Sequence, residues 1–322
     1  MPAARGTDWP LAAARRPGSL AARVKELGKI LTYLIGTVLL GALLAPPLYW
    51  LGHAVAARGF LTFLAETDFQ KFFNRAILVA AIVLVWPTAK WLRIGGRREL
   101  GLEPDARWRS RLLAGFLIAG LVVAAMAAVY VALGIYEWKK VLPWNALPQV
   151  LLSAVVVGLL EEALFRGAML GLFRRSLPPL AALLAVTFIF AAVHFLKPDE
   201  TVTIEHVEWH SGFILLPHVF HQFAEPMTLL ASFSTIFVLG WIAGAATLRT
   251  RSLWLAIGFH AGVVFVKMGF SKFTKRKAEH LPWVGDQLQI GLVPVGALVV
   301  AGVIVWWWLQ REERTGPLRR AD

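Results

Sequence analysis

Runs of about 18 to 25 apolar residues recur along the whole chain, and a helix needs about 20 such residues to cross a hydrocarbon core roughly 30 Å thick. Eight runs are legible, at 29–52, 75–93, 111–135, 148–172, 178–196, 228–248, 252–270 and 288–309. Backbone amides in lipid need internal partners, so spans of this kind fold as helices. The sequence predicts an all-α polytopic membrane helix bundle of about eight transmembrane helices, the first broken near Pro46-Pro47. With 57% hydrophobic residues in 322 and a mean hydropathy of +0.62, an ordinary soluble domain is excluded. A basic segment at 1–27 precedes a bundle at 28–310, and a charged tail at 311–322 follows. The first apolar run is too long for a signal-peptide core and lacks an A-x-A exit, so it reads as an uncleaved anchor.

The net charge of +13 is informative through its distribution. With the N-terminus in the cytoplasm, 21 of the 33 Lys and Arg fall on cytoplasmic segments and 11 on the other side, while Arg166 lies inside a span. Positive-inside bias therefore predicts both termini in the cytoplasm. Short loops and the lack of an organelle signal point to a bacterial inner (plasma) membrane. The basic cluster Lys272 to Lys277 runs against the bias and reads as a lipid-headgroup contact rather than a nucleic-acid site. The chain has no cysteine, which excludes disulfides, thiolate metal sites and a Cys nucleophile.

Against this apolar background the run GLLEEALFRG at 158–167 places Glu161, Glu162 and Arg166 within one span. Ionisable groups at bilayer depth cost about 2.5 to 3.5 kcal/mol each on insertion scales and are usually functional. In a helix Glu162 and Arg166, four apart, share a face, whereas Glu161 points about 100° away from Glu162. Arg166 can neutralise one carboxylate and leave the other for proton transfer, and a poorly hydrated carboxylate suits a general base near neutral pH. A structural ion pair clamping two helices is the alternative.

Two histidines accompany this helix. His194 ends the span after it and His260 lies in the seventh, within Gly258-Phe-His-Ala-Gly262. Counting back from a turn near residue 176 at 1.5 Å per helical residue, Glu161 lies about 22 Å along one helix and His194 about 27 Å along the next, toward the outer half. Gly167/Gly171, Gly240/Gly244 and Gly258/Gly262 have the small-xxx-small spacing that lets helices approach. His206 and His210, in the polar segment 197–227, would share a face if that segment were helical, although a solvated loop is the plainer reading. There is no His-Glu-x-x-His, no Gly-x-Ser-x-Gly and no phosphate-binding Gly-rich loop, and no motif calls for an organic cofactor. By residue type Glu161, His194 and His260 are acceptable zinc ligands, which leaves metal dependence open.

Glu161-Glu162 with Arg166, Phe190 with His194, and the later membrane residue His260 resemble the three ordered motifs of the CPBP family, which includes CAAX prenyl proteases and bacteriocin-processing or Abi-type proteins. The resemblance covers roughly residues 150–265 within a core at 148–270. It implies an intramembrane endopeptidase that hydrolyses a peptide or membrane-protein substrate. Glu161 would activate a water that His194 helps to hold, Glu162 and Arg166 would brace the helix, and His260 would stabilise the oxyanion. The family's third motif has Asn four residues after its His, where this chain has Val264, which offers no hydrogen bond. That departure keeps a non-proteolytic scaffold or immunity-type protein as the alternative. A proton-coupled transporter is less favoured, because no paired inverted repeats are apparent.

Overall fold

The computed structural model describes residues 20–93, 96–196, 202–224, 226–278 and 280–315. Most of the basic N-terminal segment and the end of the C-terminal tail lie outside the described residues. The chain is 76% helical, and among the described residues seven helices are long and apolar enough to cross a membrane. It is an integral membrane protein. The fifth apolar run yields a helix of 15 residues, Pro179–Val193, bounded by Pro178-Pro179 and a turn at His194, shorter than the other spans. The chain divides into two compact units.

The smaller unit, Leu11–Gly95 with Ala192–Pro226, contains α1 (Leu20–Ala57) and α2 (Phe69–Trp91). These pack closely, since a methyl group at Gly41 would collide with the Ile77 backbone, and Tyr33 donates a hydrogen bond to the Ala81 carbonyl at 3.0 Å. Contrary to the expected break, α1 runs through Pro46 and Pro47. Proline at 46 removes the amide that would bond the Ala42 carbonyl one turn earlier. Gly212 lies against that carbonyl, so closely that it has no room for a side chain.

This contact also revises the reading of 197–227 as a solvated loop. Its described part forms a short helix α7 (Ser211–Ile214) and a 3-10 turn, Leu216–Ala224. Leu215 and Val219 enter a core with Ala42, Ala45, Phe69, Phe73 and Ala76. Residues 206–210 are not helical, so His206 and His210 do not share a helix face, and His210 instead pairs with Glu208 at 3.3 Å.

The larger unit, Gly96–Ala191 with Met227–Asp322, contains most of the remaining elements. They are α3 (Trp108–Ala132), α4 (Leu147–Glu162), a π-helical turn (Ala163–Met169), α5 (Leu170–Ser176), α6 (Pro179–Val193), α8 (Pro226–Thr250), α9 (Trp254–Phe273) and α10 (Leu292–Thr315). A two-stranded antiparallel ribbon pairs β1 (Tyr136–Trp138) with β2 (Thr274–Arg276) and joins the ends of α3 and α9. The cluster Lys272 to Lys277 is built into this ribbon, where Lys277 pairs with Glu137 at 3.3 Å. The opposite end is rich in arginine. There Trp108 meets Trp254 at 5.0 Å between ring centroids, and Arg249 grips Glu313 through two hydrogen bonds of 2.7 and 2.8 Å.

Glycine fixes the spacing of α3 and α9. A methyl group on Gly115 would strike the Leu255 carbonyl and Phe259 amide, one on Gly258 the Leu112 carbonyl, and one on Gly262 the Phe116 carbonyl. Lipid provides no hydrophobic drive for helix association, so backbone approach and van der Waals contact carry the packing. Gly258→Ala is expected to destabilise the protein by about 1 to 3 kcal/mol through overpacking. Gly269→Ala, on the same helix with open space around it, should be neutral or stabilising by about 0.5 to 1 kcal/mol. Unfolding of the purified variants in detergent checks the contrast.

Candidate functional site

The site starts from the last turn of α4. Glu162 is fully buried, with 0% of its side chain exposed, and its Oε1 accepts hydrogen bonds from Arg166 Nη1 at 3.0 Å and from His260 Nδ1 at 2.8 Å. The i, i+4 pairing expected from sequence is therefore formed, even though Arg166 lies in the π-helical turn. Such turns insert a residue into the helical ladder and recur at functional sites. Glu161, the preceding residue, keeps 26% of its side chain exposed, and its Oε2 lies 3.8 Å from His260 Nε2. The two carboxylates thus have different surroundings, one enclosed by two cationic or proton-donating partners and the other partly accessible.

Phe190, near the end of α6, closes the cluster. The Arg166 guanidinium stands 4.0 Å from its ring centroid, and its edge contacts place His260 at 5.9 Å and Phe165 at 5.0 Å. A guanidinium over an aromatic face gains electrostatic attraction without a second carboxylate. Gly240 on α8 makes room for this stack, since a methyl group there would sit 2.8 Å from Arg166 Nη2 and 2.9 Å from the Phe190 ring. Sequence reasoning had marked Gly240 only as part of a small-xxx-small pair with Gly244. Its second role beside a buried cation has no signature in spacing.

The larger unit therefore brings together Glu161, Glu162, Arg166, Phe190 and His260. Val264 lies one turn after His260 on the same face of α9 and is half-buried. His194 belongs to the smaller unit, in the turn immediately after α6, and is half-buried. Among the described residues no group of three or more His, Asp or Glu side chains is arranged to hold a metal ion, the histidines at 206 and 210 included.

The depth expected for the site needs correction. His260 lies six residues into α9, about 9 Å from its arginine-rich end, and Gly262 packs beside Phe116, about 12 Å into α3 from the same end. Glu162 touches His260, so the carboxylates sit in the half of the bundle nearer the arginine-rich end. The count from residue 176 overestimated the depth because the last turns of that helix reach beyond the start of α9. Gly167 already packs against Leu100 and Leu253, which lie before the helices they precede.

A membrane bundle that encloses a Glu-Arg-His cluster beside a second, partly accessible Glu belongs to the polytopic membrane proteins with a buried acid-base centre. Residues 143–266 match the family described as Rce1-like, type II CAAX prenyl endopeptidase Rce1-like. Over this segment the chain is similar to CPBP-family domains, whose CAAX-type intramembrane proteases typically hydrolyse peptide bonds. No curated protein and no solved structure matches the chain.

Removing one member of a buried ion pair leaves an uncompensated charge and costs about 3 to 5 kcal/mol. Glu162→Gln is expected to lose stability on this scale, and combining it with Arg166→Gln should recover part of the loss. A double-mutant cycle by thermal unfolding in detergent measures the coupling.

Proposed function

We propose that the protein is an intramembrane endopeptidase in which Glu161 is the general base. The observation that carries this reading is the unequal treatment of the two adjacent carboxylates. Glu162 is buried and holds Arg166 and His260 through one oxygen, while Glu161 stands beside them with partial exposure and within 3.8 Å of the His260 ring. In the reaction, Glu161 takes a proton from water as the water oxygen attacks the scissile carbonyl carbon. The tetrahedral oxyanion forms near His260. Its collapse breaks the C–N bond, and the proton held by Glu161 passes to the departing amine.

The tautomer of His260 follows from its partner. An ionised Glu162 only accepts, so Nδ1 carries the proton of that bond. Nε2 is then the ring nitrogen that faces the oxyanion, and it donates to it when it carries a proton. Glu162 and Arg166 are positioning residues in this scheme, acting through His260 and the helix backbone.

With the arginine-rich end facing the cytoplasm, as the positive-inside bias suggests, the site lies nearer that side. The substrate is then a peptide or membrane-protein segment presented from the cytoplasm. This removes the objection that an outer-half site would pose to cleavage of a C-terminal tail. The proposed chemistry runs through Glu161 and His260.

Val264 supports a second reading, a family fold that acts as a scaffold. A missing oxyanion donor costs about 10² to 10³ in rate. Glu161→Gln should abolish cleavage of a peptide or membrane-protein substrate while leaving the unfolding temperature within a few degrees. Val264→Asn should raise the rate, by up to about 10². Cleavage that survives Glu161→Gln would refute the protease reading. Absence of turnover in both the wild type and Val264→Asn would favour the scaffold.

A further inference from the structure

Between the start of α3 and the end of α10 lies a cavity of about 490 Å³, lined by Arg107, Ser110, Trp307, Trp308, Arg311 and Glu312. It is at the arginine-rich end of the larger unit, remote in sequence from the residues that form the candidate catalytic site. Glu312 and Asp105 are engaged by Arg111, whose Nε lies 3.0 Å from Glu312 Oε1 and whose Nη1 lies 2.7 Å from Asp105 Oδ2. Arg107 Nη1 donates to the Glu312 backbone carbonyl at 2.9 Å and lies 3.7 Å from Glu312 Oε1, so its guanidinium is held at the cavity wall. Arg311 stacks 3.5 Å from the Trp307 ring centroid. Three guanidiniums, those of Arg107, Arg111 and Arg311, thus accompany two carboxylates at the cavity, and the local balance is cationic.

The surroundings below the cavity are apolar. On α3, Leu113, Leu117 and Leu121 continue the stripe that begins at Ser110, and on α10, Val303 and Val300 continue the stripe that ends at Trp307. These side chains are exposed, whereas Trp307 sits where aromatic side chains meet the headgroup level. A soluble anion would use only the cationic mouth. An anionic phospholipid would use both parts, its phosphate between Arg107 and Arg311 and its acyl chains along the two stripes.

We propose that this cavity is a binding site for an anionic phospholipid, which bridges α3 and α10 at the membrane surface. The inference does not depend on the protease reading. It can be tested on the full-length protein in detergent by native mass spectrometry with added phosphatidylglycerol or phosphatidylcholine, together with thermal unfolding in nanodiscs containing either lipid. Phosphatidylglycerol should be retained at least about 10-fold better than phosphatidylcholine and should raise the unfolding temperature. Arg311→Gln should reduce that preference about 5-fold, the usual effect of one basic residue near an anionic surface. Arg109→Gln, the same charge change outside the cavity lining, should leave it intact. Equal loss in the two variants would overturn the site in favour of diffuse attraction. Displacement of the lipid by millimolar inorganic phosphate would overturn the choice of a lipid occupant, and equal retention of both lipids would overturn the proposal altogether.

Discussion

The structure of the larger unit depends on keeping one carboxylate ionised inside an apolar bundle. Glu162 has no exposure to solvent, so its charge requires donors from protein. Arg166 and His260 supply them from the π-helical turn and from α9. Arg166 must in turn be accommodated, and it is placed over Phe190 on α6 in space left by Gly240 on α8. One buried charge therefore fixes the mutual placement of several helices, a demand that interchangeable apolar contacts in lipid would not make. Such a cluster gives little net stability compared with a well-packed apolar one, but it penalises every arrangement in which a partner is missing.

Much of this was legible because it rests on local periodicity. Apolar length located the seven long spans, and the i, i+4 spacing located the Glu162–Arg166 pair. What failed rests on geometry between elements. The partner of His260 could not be read, because nothing local distinguishes Glu161 from Glu162 as the residue facing a helix 98 positions away. Depth was misjudged because a count along one helix ignores where its neighbours begin. Pro46-Pro47 reads as a break, yet the helix continues where Gly212 covers the Ala42 carbonyl, which the proline deprives of its helical donor. The same contact escaped the reading of 197–227 as solvated loop, since His-rich composition masked Leu215 and Val219.

Backbone contact between α3 and α9 connects this packing to chemistry. Gly258 and Gly262 flank His260 at two residues on either side, and both face the backbone of α3 rather than the cluster. On a helix, residues two apart point in widely separated directions. His260 therefore points away from α3, toward α4, with its ring height set by two rigid backbone contacts. Side chains of ordinary size at either glycine would push α9 outward. A displacement of about 1 Å is enough to cost a catalytic arrangement roughly 10² in rate, so under the proposed function the glycines would contribute to positioning although they carry no functional group.

The adjacency of Glu161 and Glu162 follows from the same constraint. In the proposed reaction a base that works beside an oxyanion donor needs that donor held still, and a carboxylate is the natural partner for the far nitrogen of an imidazole. Holding and reacting are poorly combined in one carboxylate, because a fully buried group that fixes an arginine and a histidine has no access to a water. Consecutive residues on a helix separate the tasks. About 100° of rotation directs one side chain into the packed interface with Arg166, while the other keeps 26% of its surface accessible. The π-helical turn that starts at Ala163 then alters the helix only after both carboxylates have been placed. Arg166 can reach back to Glu162 from within that turn, and Glu161 remains on regular helix, where its direction is set by α4.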